Sequence, residues 1–261
     1  GAVAPGYTVT YVSATGTVQP AHLTVTATNS SRLFGAANGT LSATVTGFVN
    51  GETLAASGVT GHATCTTTAA PWTPAGTAPI TCTKGSLAAT NYTFGPFVPG
   101  TLTIRYTGSA CLTGARRTTL VVAAGQSVCL GSGFVSTAGI TVRAGGSLDI
   151  EGGARGVRVA GSLSSIGANA IRICGLTLSG SLSVAQTRGL VTIGGTKASH
   201  CAGNVISGSV TLRSNTGGVI FVGNTVKGSL TIAGTRGTVP PPGHGPLVVD
   251  GNTVRGRKSV T

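Results

Sequence analysis

The sequence predicts an all-β protein, a small Ig-like antiparallel sandwich followed by a right-handed parallel β-helix, on three observations. Period-two alternation recurs, as in His22-Leu23-Thr24-Val25-Thr26-Ala27-Thr28 and Thr101-Leu102-Thr103-Ile104, while Thr, Val, Ser and Gly dominate and helix signals are almost absent. Asn38-Gly39 and Asn50-Gly51 are dipeptides of the kind that close hairpins. Beyond Tyr106 the texture changes, and a Gly-Ser-[Leu/Val] triplet recurs at 146–148, 161–163, 180–182, 208–210 and 228–230, in steps of 15, 19, 28 and 20.

Three segments follow from these patterns. Residues 1–20 form an N-terminal arm, residues 21–107 the sandwich and residues 108–261 the β-helix. In the arm, Tyr7, Val9, Tyr11 and Val12 repeat the design of Tyr92-Thr93-Phe94 and Phe97-Val98, so the arm reads as the closing strands of a preceding repeat. Two strands alone bury too little apolar surface to be stable. Either the arm is left from a longer tandem array, or it completes a sheet edge of a neighbouring copy by strand addition.

In the last segment a unit near 20 residues matches one β-helix coil. A single coil cannot bury its inner face, whereas stacking at about 4.8 Å does so, and about six coils make a rod roughly 30 Å long. Asn204, Asn224 and Asn252, each after a glycine, predict a hydrogen-bonded ladder up the stack. The 28-residue units read as shorter ones with insertions around Lys197-Ala198-Ser199-His200-Cys201 and Pro240-Pro241-Pro242-Gly243-His244. The imperfect period leaves a second Greek-key sandwich as the competing architecture.

Composition narrows the function. The 261 residues include 43 glycines, four acidic and seventeen basic residues and no methionine, so few groups are available for acid–base chemistry and the expectation is a non-enzyme. A mean hydropathy of +0.35 with 8% charged residues is too apolar for disorder. The glycines follow no collagen period. No apolar run reaches the roughly 18 residues of a membrane span, and the N-terminus lacks signal-peptide order. The missing methionine suggests a processed product.

Charge is uneven. Arg32, Lys84, Arg105 and Glu52 are the charged residues before position 109, and fourteen basic against three acidic residues follow. A basic half attracts polyanions, or it simply keeps an acid-poor surface soluble. Nucleic acid is disfavoured by the scarcity of aromatics there, Phe134 and Phe221 alone. Arg188 and Arg236, each eight residues after a Gly-Ser-Leu triplet, are candidate contacts to an anionic wall polymer or glycan, two coils apart in one column.

Six cysteines at 65, 82, 111, 129, 174 and 201 lack the close spacing of zinc or redox motifs and predict three disulfides in an oxidising, extracytoplasmic setting. Sequential pairing, Cys65 with Cys82, Cys111 with Cys129 and Cys174 with Cys201, is favoured because each pair closes a loop within one segment.

The only clustered carboxylates, Asp149 and Glu151, alternate with inward apolar residues and are expected on one outer face, neutralised by Arg155 and Arg158. Calcium or carbohydrate binding and glycosidase chemistry are the alternatives there. His22, His62, His200 and His244 accompany no nucleophile elbow, and His200 with Cys201 lacks further metal ligands. Lys84 and Glu52, with an asparagine, are candidates for an isopeptide bond. No catalytic residue, metal or cofactor is assigned.

The strings from His22 to Ala27, Ser31-Arg32-Leu33-Phe34-Gly35-Ala36-Ala37-Asn38, Gly47 to Thr53, Pro79-Ile80-Thr81, Asn91 to Phe94 and Phe97 to Ile104 resemble, in order, the MBG domain, a glycine-rich, mostly-β repeat of bacterial surface and secreted proteins. Departures are Phe34 in place of a tyrosine, Gly39 in place of proline and Ala78 in place of tyrosine, with Cys65 and Cys82 as an added staple. The resemblance implies an extracellular spacer without catalytic role. The later half resembles C-terminal regions of secreted actinobacterial proteins of unknown function, in Val121 to Leu130, Ile171 to Gly175, Cys201-Ala202-Gly203-Asn204 and Val239 to Pro242. That likeness supports the Cys174–Cys201 pair.

The expected product is a secreted, cell-surface structural protein for adhesion, assembling with itself into a filament through the arm. A carbohydrate- or anionic-polymer-binding module is the alternative, and a β-helical polysaccharide-degrading enzyme a remote one.

Overall fold

The computed structural model describes residues 5–8, 10, 12–108, 110–195, 201–240 and 245–261. Val9 and Tyr11 of the arm, and Lys197 to His200 and Pro241 to His244 of the insertions, lie outside the described residues. The chain divides into two packing units that interleave in sequence, residues 1–27, 42–65 and 81–99 in the first and 28–41, 66–80 and 100–261 in the second.

The N-terminal region builds β1 (Ala21–Ala27), β2 (Ser30–Leu33), β3 (Ala43–Thr46), β4 (Thr64–Thr66), β5 (Gly76–Thr83), β6 (Tyr92–Val98) and β7 (Gly100–Arg105). They form sheets in the orders β3-β1-β6 and β2-β7-β5-β4. In β1 the alternation does what the pattern predicts, with Leu23, Val25 and Ala27 buried and the residues between them turned outward. Pairing is antiparallel for β1–β3 and β5–β7, as expected of a sandwich. The pairs β1–β6 and β2–β7 are parallel, so the sheets are mixed.

The two Asn-Gly dipeptides do not close hairpins. Asn50 and Gly51 have φ of 55° and 74°, and Glu52 donates its N–H to the Val49 carbonyl at 3.1 Å, a tight turn with no strand directly after it. Asn38 instead uses its amide as a bridge, accepting from Arg32 Nε at 2.6 Å and donating to the Ala69 carbonyl at 2.7 Å.

In the second unit, residues from 115 onward wind as a parallel β-helix. Sheet I holds seven strands from Ala115–Arg116 to Thr253–Val254, sheet II seven from Leu120–Val122 to Lys258–Val260, and sheet III six from Ser127–Leu130 to Leu247–Asp250. Successive coils open at 115, 135, 157, 176, 205, 225 and 253, which makes six coils of three strands and a seventh of two. Inside, columns of like residues stack. Leu120, Ile140, Leu163, Leu182, Val210 and Leu230 are all buried and paired in register. With the core this narrow and repeated, apolar burial is supplied by neighbouring coils.

The recurring Gly-Ser has a physical cause. At the corner between sheets I and II, the N–H groups of Ser181, Ser209 and Ser229 donate to the hydroxyls of Ser162, Ser181 and Ser209 at 3.1, 3.2 and 3.1 Å. A Cβ on Gly208 would lie 2.4 Å from Ser181 Oγ and 2.7 Å from the Gly180 carbonyl, so only glycine lets the corners stack. Gly146-Ser147-Leu148 belongs to a different column, since it leads into sheet III, which accounts for the short step of 15. The asparagine ladder forms, with Asn204 Nδ2 donating to Asn224 Oδ1 at 2.8 Å and Asn224 Nδ2 to Asn252 Oδ1 at 2.9 Å.

Candidate functional site

Asp149 does not lie on an open face. Its side chain points away from the coil interior, yet it is fully buried, because residues 34–35 and 106–107 of the same unit pack over sheet III at that point. Thr107 N donates to the Ser127 carbonyl at 2.7 Å, and the rings of Phe34 and Tyr106 meet at 6.0 Å. Gly35, at φ +84°, passes so close that a Cβ there would sit 2.0 Å from Ser147 Oγ.

Both oxygens of Asp149 are engaged. Tyr106 donates its hydroxyl to Oδ2 at 2.6 Å, and Arg172 Nη1 donates to Oδ1 at 2.8 Å and to Glu151 Oε1 at 3.1 Å. The neutralising partner is therefore Arg172, one coil on in register with Asp149, and not Arg155 or Arg158, which are exposed. Burial raises the Asp149 carboxyl above its ordinary value; Arg172 and the Tyr106 hydroxyl oppose the rise and Glu151 adds to it. Burial likewise pushes the Tyr106 phenol upward, reinforced by the charge of Asp149. For Arg172 burial acts against the charge, but Asp149 and Glu151 outweigh it and the guanidinium is held more firmly protonated.

Glu151, 43% exposed, and Arg172 edge an open groove of about 950 Å³ whose other walls include Ser132 and the Cys174–Cys201 disulfide. Glu151 also lies within 4.8 Å of Cys111 and Cys129, but those sulfurs are joined to each other, which leaves a single carboxylate as a metal ligand. The third disulfide joins Cys65 and Cys82 in the first unit.

Arg188 and Arg236 are exposed, and the register carries position 188 through Thr216 to 236, one column two coils apart. In the arm, Tyr7 and Val12 are 82% and 88% exposed and lie in no strand. The isopeptide candidates are each engaged elsewhere. Lys84 Nζ sits 5.8 Å from the Phe94 ring centroid, and Glu52 accepts from Tyr92 at 2.7 Å.

The strand order, the Phe34-Gly35 approach and the β1, β6 and β7 patterns all fall within one stretch of chain. Residues 23–103 match the MBG domain of the YGX type. No curated protein and no solved structure matches the chain. The MBG domain is a domain of bacterial surface proteins, which together with three disulfides is consistent with an extracellular surface role. Among the described residues there is no helix, hence none long and apolar enough to cross a membrane.

Within the MBG match, Phe34 is buried against Tyr106, so the aromatic before Gly35 contributes a ring and no hydroxyl. Arg32 is buried and satisfied by the carbonyls of Leu33, Ala70 and Pro71 and by Asn38; burial lowers its pKa. Sequence reasoning missed Tyr106 and Arg172 as partners of Asp149. The available signal for Arg172 was its place one coil after Asp149, readable only once the coil lengths were known.

Proposed function

We propose that the chain is a structural, adhesive module of the bacterial surface that assembles with itself by adding its N-terminal arm to a sheet of the next copy. The observation that carries this is the pairing of an unused arm with an open edge. Among the described residues, Tyr7, Val12 and Val18 are 82–94% exposed, and β3 and β6 each have β1 as their sole sheet neighbour. Pro96 removes a donor from β6, whereas β3, Ala-Thr-Val-Thr, keeps a continuous row of donors and acceptors and is the better acceptor edge. Electron microscopy and sedimentation of the full chain should show concentration-dependent large species that vanish when residues 1–20 are deleted. A chain monomeric at every concentration, or assemblies that survive the deletion, would refute it.

On this reading the chain is not an enzyme. Asp149 has both oxygens occupied and shares Arg172 with Glu151, which leaves no free acid and base pair at that position. A second reading, binding of an anionic wall polymer or glycan, is favoured by the exposed Arg188 and Arg236 in one column.

A further inference from the structure

The basic residues of the coil stack are not scattered. At the corner between sheets II and III, Arg143 and Arg213 occupy one column in coils two and five, Arg143 directly after its sheet II strand and Arg213 as the last residue of its own. Arg188 and Arg236 occupy the column three positions further round, in coils four and six. All four are exposed, and among the described residues none of them has an ion-pair or hydrogen-bond partner for its guanidinium. No acidic residue lies at this corner. Glu151 and Asp250 end sheet III strands at its opposite border, and Asp149 is buried. These two carboxylates thus lie across sheet III from the four arginines, while Arg172 pairs with Glu151 and Arg155 follows it at the same border.

At about 4.8 Å per coil, Arg188 and Arg236 stand about 10 Å apart, Arg143 and Arg213 about 14 Å, and the stripe spans about 19 Å. The corner between sheets I and II differs. There one column holds Arg117, Lys227 and Arg255; Thr137, Ala160, Ser179 and Ser207 separate Arg117 from the other two, which sit in adjacent coils, and Arg257 and Lys258 follow in the last coil.

We infer that the corner between sheets II and III is a binding stripe for a linear glycopolymer with an anionic group on each repeat, gripped along the stack axis by Arg143, Arg188, Arg213 and Arg236. This rests on the polymer-binding reading above and names its site and ligand class. Phosphodiesters and uronates share the required chemistry, an anionic group whose two terminal oxygens a guanidinium can hold through two donors. A polymer with regularly repeated anions can satisfy charges two and three coils apart without bending. A single small anion can meet only one of them.

The test uses the full chain with poly(glycerol phosphate) and polygalacturonate as separate probes and duplex DNA as competitor. Four contacts, each contributing a slope of about −0.7 in log K against log salt, weaken binding about 50-fold between 50 and 200 mM salt. Arg188→Glu/Arg236→Glu should weaken it at least about 10-fold and halve that slope, and Arg143→Gln/Arg213→Gln should also halve the slope. Arg117→Glu/Lys227→Glu makes the same change in net charge elsewhere and should leave affinity within about threefold. The uncharged pair Arg188→Gln/Arg236→Gln serves if the glutamates impair folding, which thermal midpoints report. If neither polymer binds the parent chain, the polymer-binding reading falls and this inference with it. If a polymer binds but all charge variants lose affinity alike, the stripe is overturned while the reading stands. DNA displacing both polymers at equal charge concentration overturns the ligand class. Selective loss in the stripe variants supports the inference, and the preferred probe separates phosphate from uronate.

Discussion

Replacing Tyr106 with phenylalanine isolates one bond at the base of the buried cluster. The ring stays against Phe34, and only the hydroxyl 2.6 Å from Asp149 Oδ2 is lost. A carboxylate oxygen with no exposed surface is then left without a donor, which costs about 1.5–3 kcal/mol, since the deleted bond goes to a charged group. The loss must depend on pH. Burial holds the folded Asp149 carboxyl above its ordinary 3.8, so the folded state retains a proton that the unfolded chain has released. The stability associated with Asp149 is therefore complete below about 3.8 and declines as pH rises through the folded value. The Tyr106 hydroxyl is one of the groups that limits this rise, so its removal extends the decline to higher pH. Guanidinium unfolding followed by circular dichroism, on parent and variant at pH 3.5, 5, 6.5 and 8, should show a gap that is small at pH 3.5 and widens toward pH 8. A gap constant across that range, or below about 0.5 kcal/mol throughout, means that Asp149 is not the hydroxyl's ionised partner.

Asn224→Ala should destabilise the stack by about 2–4 kcal/mol, more than Asn252→Ala near the last coil, because the side-chain amides make equivalent bonds but Asn224 is buried and Asn252 only partly so. Thermal melting of the two variants against the parent checks the order, and equal losses would count against a continuous ladder. Gly35→Ala combines a positive φ with a Cβ 2.0 Å from Ser147 Oγ and should cost about 1–3 kcal/mol. Hydrogen exchange should then rise first at Thr107 and Ser127, whose mutual bonds depend on the same packing.

The coil stack was legible because its signal is strictly local. Four successive coils repeat glycine, serine and leucine or valine for the same steric reason, and the asparagines announce their column by spacing alone. The parallel pairs β1–β6 and β2–β7 were not legible, because Asn38-Gly39 and Asn50-Gly51 carry hairpin chemistry while serving as an amide bridge and an isolated turn. The burial of Asp149 was illegible for a related reason. Alternation correctly set its side chain on the outer face of the coil, but whether that face is wet depends on a glycine 114 positions earlier that no period connects to it. The column of Arg188 and Arg236 could be read from the triplet spacing. Arg143 and Arg213 could not, because Arg143 follows no Gly-Ser-Leu triplet and coils of unequal length, one with the insertion around 197–201, lie between the two.

Stacking also constrains where charge can be placed. Identical positions in adjacent coils are about 4.8 Å apart, and two like charges at that distance repel by about 3.5 kcal/mol at an effective dielectric of 20. At the corner between sheets II and III the register avoids this, whereas Lys227 and Arg255 meet in adjacent coils at the corner between sheets I and II. Arg143 is followed in its column by Ile166, Ala185, Arg213 and Ala233, and Arg188 and Arg236 have Thr216 between them. Separations of about 10 and 14 Å exceed the roughly 8 Å screening length at physiological salt, so the arginines scarcely disturb one another in the free protein. A polymer laid along the corner meets them all at once, and its own closely spaced anions are neutralised where they touch the stack. The spacing that lets the coils tolerate these four cations is the same spacing that suits a long, repeating partner better than a small one.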